Sequence, residues 1–227
     1  MSRTDRKART RAAILSAARE QFVARGYAGA TIRDVAEAAG VGVGTVHAHF
    51  RDKSSLLMAC FQEQLEGAVA LGLEGLDPTA PLLEQLLGLI RPLYVAYARH
   101  PALSQVMFTE SLFPDPPTLD PLLVEFLGEI GGLFQAALAR GEIQRLPEGG
   151  ALAARCFFSA YLMGLISGLA GHLGPAGPAA WVESVRGMVA LQLVGLGADP
   201  TPYFSAQPPA APSMSPVAPP RAGEESS

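Results

Sequence analysis

The sequence predicts an all-α protein of about nine helices. No stretch of strand length alternates apolar and polar residues with period two. The segments between Pro and Gly breakers are rich in Leu, Ala, Glu, Gln and Arg and run roughly 12–25 residues, a helical length and composition. The prolines fall between the helical patterns rather than inside them, Pro92 excepted. With 227 residues, 49% of them hydrophobic, the chain is long and apolar enough to bury a core.

Charge and proline divide the chain. Residues 1–60 carry 10 of the 17 Lys/Arg and 5 of the 21 Asp/Glu, a net +5 that leaves −9 on the remainder. A basic quarter on an acidic body suggests a polyanion-binding module joined to something else. Residues 1–77 contain no proline, whereas residues 199–227 hold 8 of the 19. Three regions follow: a basic domain over 1–66, a helical domain over 67–198, and a Pro/Ala/Ser-rich tail over 199–227 expected to be disordered. Two cysteines, Cys60 and Cys156, exclude a disulfide-dense scaffold and make a reducing cytoplasm the expected compartment. The apolar run behind the basic start is too short for a signal peptide.

The first 60 residues carry the local signals. Residues 6–25 form an amphipathic pattern with Ile14, Ala17, Ala18, Phe22 and Val23 on one face, and Gly26 stops it. Thr31 is an N-cap, and Asp34 three residues on completes a capping box. Ile32, Val35, Ala36 and Ala39 form the buried stripe of this second helix, and Gly40 provides a left-handed exit. A short third helix spans about Gly42 to His49, burying Val46 and Phe50; Asp52 caps a fourth that starts Lys53-Ser54-Ser55-Leu56-Leu57. Two short helices joined through glycine at this spacing are a helix-turn-helix, over 31–50.

The exposed face of that third helix comprises Gly42, Val43, Thr45, His47 and His49. Thr45 offers a hydroxyl and a methyl to base edges, and Val43 suits a thymine methyl. The amides at Thr31 and Lys53 open helices and form anion sites, with the Lys53 charge added and Arg33 grouped with them. His47 and His49 do not form a metal pair, because residues two apart on a helix point away from each other.

Over Ala30-Thr31-Ile32-Arg33-Asp34-Val35-Ala36-Glu37-Ala38-Ala39-Gly40-Val41, Gly44-Thr45-Val46-His47-Ala48-His49-Phe50, Lys53 and Leu56-Leu57, the chain resembles the TetR-type transcriptional regulators. The resemblance implies double-stranded DNA as partner, a near-palindromic operator, and contacts at Thr31, Thr45, His47, His49 and Lys53. It also implies a homodimer, repression, and a small-molecule effector that releases the DNA. Departures exist: Gly42 replaces the usual Ser, His47 a frequent Tyr, and Val43 a long polar side chain. With so few bidentate donors on the face, shape readout is expected to matter, with Arg3, Arg6, Lys7, Arg9 and Arg11 following the backbone or minor groove.

Residues 82–100, 101–113, 119–140, 148–173 and 178–197 read as five further helices. Cys156 to Leu173 carries no formal charge and is long enough for a membrane span. Ser159, Tyr161, Ser167 and His172 interrupt it, so a helix buried in a dimer interface is the expected reading, with no membrane partner. That interface is expected to use Phe157, Gly164 and Gly168 with Trp181, Val185, Met188, Val189 and Gln192, as a two-fold four-helix bundle. In the family the middle helices enclose a cavity, here assigned to Tyr94, Tyr97, Met107, Phe108, Phe134, Phe158 and Tyr161, a lining suited to an apolar effector. Phe113, Phe126, Phe157 and Met163 share the region, and Glu110 would meet a cationic ligand if it faced inward. Both thiols are expected to be buried and inert.

No phosphate loop, nucleophile elbow or paired carboxylates appear, so an enzyme is not expected and no cofactor is implied. The rival reading is a non-specific architectural DNA-binding protein without an effector.

Overall fold

The computed structural model describes residues 2–112 and 121–204. Phe113, the prolines at 114, 116 and 117, and the tail from 205 to 227 lie outside the described residues. Nine α-helices are present among those described: α1 (Arg3–Gly29), α2 (Ile32–Ala38), α3 (Val43–His49), α4 (Lys53–Glu74), α5 (Leu82–Ala98), α6 (Pro101–Leu112), α7 (Pro121–Ala139), α8 (Ala151–Leu169) and α9 (Gly177–Gly195). Single 3-10 turns precede α8 and α9.

Helices α1 to α3 and the first half of α4 form a head. Its core is Ile14, Leu15, Ala18 and Phe22 from α1, Val35 and Ala36 from α2, Val46 and Phe50 around α3, and Leu56, Leu57, Cys60 and Phe61 from α4. Ile14, Ala17, Ala18 and Phe22 are buried as the sequence suggests, whereas Val23 is 51% exposed and Leu15 joins the core in its place. Gly26, at φ +69°, ends the regular part of α1. The helix starts earlier than expected: Ser2 caps it and forms a capping box with Asp5. Residues 3–5 therefore extend α1 beyond the start expected at residue 6, and the basic residues assigned to an arm lie on this helix. Arg11 and Arg19 both reach Glu63 on α4, and the Arg11 guanidinium also lies over the Phe50 ring at 5.5 Å. Arg11 is thereby used to hold the head together.

Helix α4 continues unbroken past residue 66 into the body, where Ala68 and Gly72 are buried against α5. A Cβ at Gly72 would come 2.6 Å from the Leu89 carbonyl oxygen, so only glycine permits this crossing. The Glu142 carboxylate accepts from the Leu82 amide at 2.6 Å and so caps α5. Helix α5 lies at the centre of the body, in contact with α4, α7, α8 and α9. Helices α7 and α8 are long and apolar enough to cross a membrane by length and composition. Phe126, Ile130 and Phe134 of α7, and Phe157, Tyr161 and Leu165 of α8, are nevertheless buried in the core.

Most residues expected at a dimer interface serve the chain's own packing. A methyl at Gly164 would overlap the Tyr94 hydroxyl and Val185, and one at Gly168 would overlap the Trp181 indole. Phe157, Trp181, Val185 and Val189 are buried within the chain, and Gln192 donates to the Ala153 carbonyl at 2.8 Å. Of the eight, Met188 alone is exposed. The small-residue stripe of α8 lets α5 and α9 approach closely, and the opposite face looks outward. Cys156 lies on that outward face and is exposed, unlike Cys60. Burial pushes the Cys60 thiol up to about 12, which keeps it protonated and inert.

Two glycines with opposite surroundings test this packing. Gly168→Ala should lower unfolding stability by about 1–3 kcal/mol through overpacking against Trp181. Gly44→Ala, in α3 with nothing within 4 Å of the new methyl, should raise it by about 1 kcal/mol. Urea unfolding followed by far-UV circular dichroism measures both.

Candidate nucleic-acid interface

Helix α3 is held by one buried residue and one stop. Val46 is fully buried, and Phe50 closes the helix by donating its amide to the Val46 carbonyl at 2.9 Å. Gly42 is the N-cap and brings no side-chain hydrogen bond. Gly40, at φ +66°, makes the turn from α2, and its amide donates to the Glu37 carbonyl at 3.1 Å. This anchoring leaves Gly42, Val43, Gly44, Thr45, His47 and Ala48 facing outward. The Thr45 hydroxyl and the His47 ring have no partner among the described residues. His49 is half-buried with its ring 6.2 Å from that of Phe50, so it lies at the margin of the exposed face. The face is narrow and low in relief, because three of its six positions are Gly or Ala.

The flanking anion sites are built differently from the sequence expectation. At α2 the Thr31 hydroxyl donates to the Asp34 carboxylate at 2.6 Å, and the Thr31 amide donates to the same oxygen at 2.9 Å. The Asp34 amide returns a bond to the Thr31 hydroxyl at 3.1 Å. These bonds, the Thr31 hydroxyl first, hold the Asp34 carboxyl below its usual range, and Arg25 pairs with it at 2.8 Å. The Thr31 amide is therefore occupied, and the open amides at this helix start are those of Ile32 and Arg33. The Arg33 side chain is exposed beside them.

At α4, Asp52 and Ser55 form a reciprocal cap, with the Ser55 amide 2.7 Å from the Asp52 carboxylate. The Lys53 ammonium donates to the Tyr27 carbonyl at 2.8 Å and the Ala30 carbonyl at 3.2 Å, and lies 4.3 Å from the Tyr27 ring centroid. Lys53, expected to add its charge to a phosphate site, clamps the turn that leads into Thr31 and keeps one proton to donate outward. Tyr27 carries no sequence signal beyond its place just after the Gly26 stop, with a Lys opening α4.

The expected effector residues form a closed core. Tyr94 and Tyr161 stack at 5.3 Å, the Trp181 edge meets Tyr94 at 5.8 Å, and Phe126 and Phe158 pack on Tyr161. The Tyr94 hydroxyl donates to the Tyr161 carbonyl at 2.8 Å, and burial raises both phenols. Tyr97, Met107 and Phe134 are buried and Phe108 is half-buried. Glu110 does not face inward; it is exposed on α6 and accepts from the Ser54 hydroxyl of α4 at 2.7 Å. A cleft of ≈ 280 Å³ between α7 and α8 and a groove of ≈ 460 Å³ between α1 and α6 are lined by none of these eight residues.

The clamp has a consequence that a pure phosphate contact lacks. Lys53→Met should lower stability by about 1.5 kcal/mol with no DNA present, from two lost charge-assisted bonds. Denaturation in low and high salt checks it, and unchanged stability would return Lys53 to the role of a free anion ligand.

Residues 14–60 match the sequence model of the family described as "Bacterial regulatory proteins, tetR family". The HTH-type transcriptional repressor KstR2 of Mycobacterium tuberculosis is 32% identical over 92 residues, 40% of this chain and 46% of that protein. The chain spans less than half the length of the curated relatives it matches. Among solved structures, the fatty acid degradation regulator FadR from Bacillus halodurans superposes with a TM-score of 0.60 at 23% identity, covering 83% of this chain and 97% of that one. FadR from Bacillus subtilis in complex with stearoyl-CoA gives 0.56 at 19% identity, covering 81% and 97%. The helix-turn-helix domain at residues 14–60 belongs to the tetR family of bacterial regulatory proteins, and the all-helical body behind it has the fold of regulators of that family.

Proposed function

We propose that this protein is a cytoplasmic, homodimeric regulator that binds a near-palindromic DNA operator through α3 and represses transcription until a small apolar effector releases it. The observation that carries the reading is the outward face of α3, with an unpartnered Thr45 hydroxyl between two helix starts that offer open amides. Thr45 reads base edges, Val43 and His47 flank it, and Arg33 with the amides of α2 and α4 holds phosphates. Repression is argued from relatives named as repressors, KstR2 among them.

The dimeric reading is supported by the outward apolar stripe of the body rather than by the glycine face. Leu152, Cys156, Met163 and Ile166 lie along α8 at spacings of four, seven and three, and Met188 and Leu191 extend the patch onto α9. Ile166 is 45% and Leu191 66% exposed in the single chain, an exposure that burial against a second copy would relieve. A two-fold pairing through this stripe would set two α3 helices toward half-sites about 34 Å apart. For the effector, the Tyr94–Tyr161–Phe158 region is the proposed site, closed here, so entry requires repacking. An effector shifts the population only by its differential affinity for the opened state.

The low relief of α3 favours one other reading, an architectural protein that binds DNA without sequence preference. Selection of random duplex DNA on the purified protein separates the two. The regulator reading predicts an enriched near-palindrome, abolished by Thr45→Ala and lost in a Leu191→Glu variant that sediments as a monomer. Salt-sensitive binding without enrichment would establish the architectural reading instead.

A further inference from the structure

The groove between the end of α1 and the start of α6 has no ligand in the reading above, although Phe22, Arg25 and Tyr27 on its wall also serve the head's own packing. It is an open groove of ≈ 460 Å³, within the range of roughly 300–1,000 Å³ typical of small-molecule sites. Phe22, Tyr27, Leu103 and Val106 supply an apolar wall, and Arg25, Arg99 and His100 are its polar lining. No carboxylate residue lines it. Arg25 is already paired with Asp34 at 2.8 Å, whereas Arg99 and His100 are exposed and have no partner among the described residues.

An apolar wall beside an uncompensated guanidinium selects one ligand chemistry. A neutral apolar molecule leaves Arg99 unused, and a cationic amphiphile meets it with like charge. We propose that this groove binds a small amphipathic anion, a carboxylate or sulfonate carrying an apolar body. Its acidic group pairs with Arg99 at the mouth, and its apolar part lies against Leu103 and Val106. The site is distinct from the aromatic region of the body. One wall belongs to the head and the other to α6, which also carries the Glu110–Ser54 contact to α4. Occupancy therefore acts on the head–body junction and is reciprocally linked to whatever the head binds.

The test uses the full chain at pH 7 and anilinonaphthalene sulfonate, an apolar anion whose fluorescence reports burial. Decanoate and decyltrimethylammonium, below their micelle concentrations, serve as competitors of opposite charge. Decanoate should displace the probe and the cation should not. Arg99→Glu should weaken decanoate competition about tenfold, the loss of one charge-assisted contact. Ala102→Trp, which fills the groove from an exposed position, should abolish it, with both variants melting like the parent. Wild-type competition in both variants would put the probe elsewhere and overturn the proposal, as would equal displacement by the two competitors.

Discussion

Helix α4 is the constraint on which the rest of the molecule depends. Its first turn carries the Lys53 clamp on the Tyr27 and Ala30 carbonyls, and Leu56, Leu57, Cys60 and Phe61 on its next turns complete the head core. Farther along the same helix, Ala68 and Gly72 pack on α5, where the missing Cβ of Gly72 allows contact with the Leu89 backbone. Any tilt of α4 in the body moves the turn that positions Thr31 and α3. The Ser54–Glu110 bond ties the start of α4 to α6 and supplies a second connection. Head and body are thus joined by one continuous helix and a side-chain contact across the division that charge marks in the sequence.

The head was almost fully legible in the sequence because its signals are local. The Thr31–Asp34 box, the Gly40 exit, the Val46–Phe50 pair and the Asp52 cap are each determined by residues within four positions, and each stands where the spacing puts it. What failed was long-range. Lys53 looks like a phosphate ligand until the Tyr27 and Ala30 carbonyls, 26 and 23 residues away, are placed beside it. Arg11 belongs to a basic arm by sequence and to Glu63 by structure.

The body failed in register rather than in kind. Helix count and approximate positions follow from the breakers, but an apolar helix such as α8 has apolar groups on all sides and no moment to orient it. Gly164 and Gly168 mark a close approach correctly; the sequence does not say whether the partner is Tyr94 and Trp181 of the same chain or a second copy. The aromatic residues show the same ambiguity. Tyr94, Tyr161 and Phe158 satisfy a core and a cavity lining equally well, and here they stack on one another.

The claim that α4 couples head and body is tested most directly by native-state hydrogen exchange along that helix. If it holds, amides near Leu57–Phe61 and near Ala68–Gly72 open with the same free energy and the same denaturant dependence, as a single cooperative element. A head half that opens at distinctly lower free energy while the body half stays protected would contradict it, and α3 would then be positioned independently of the body.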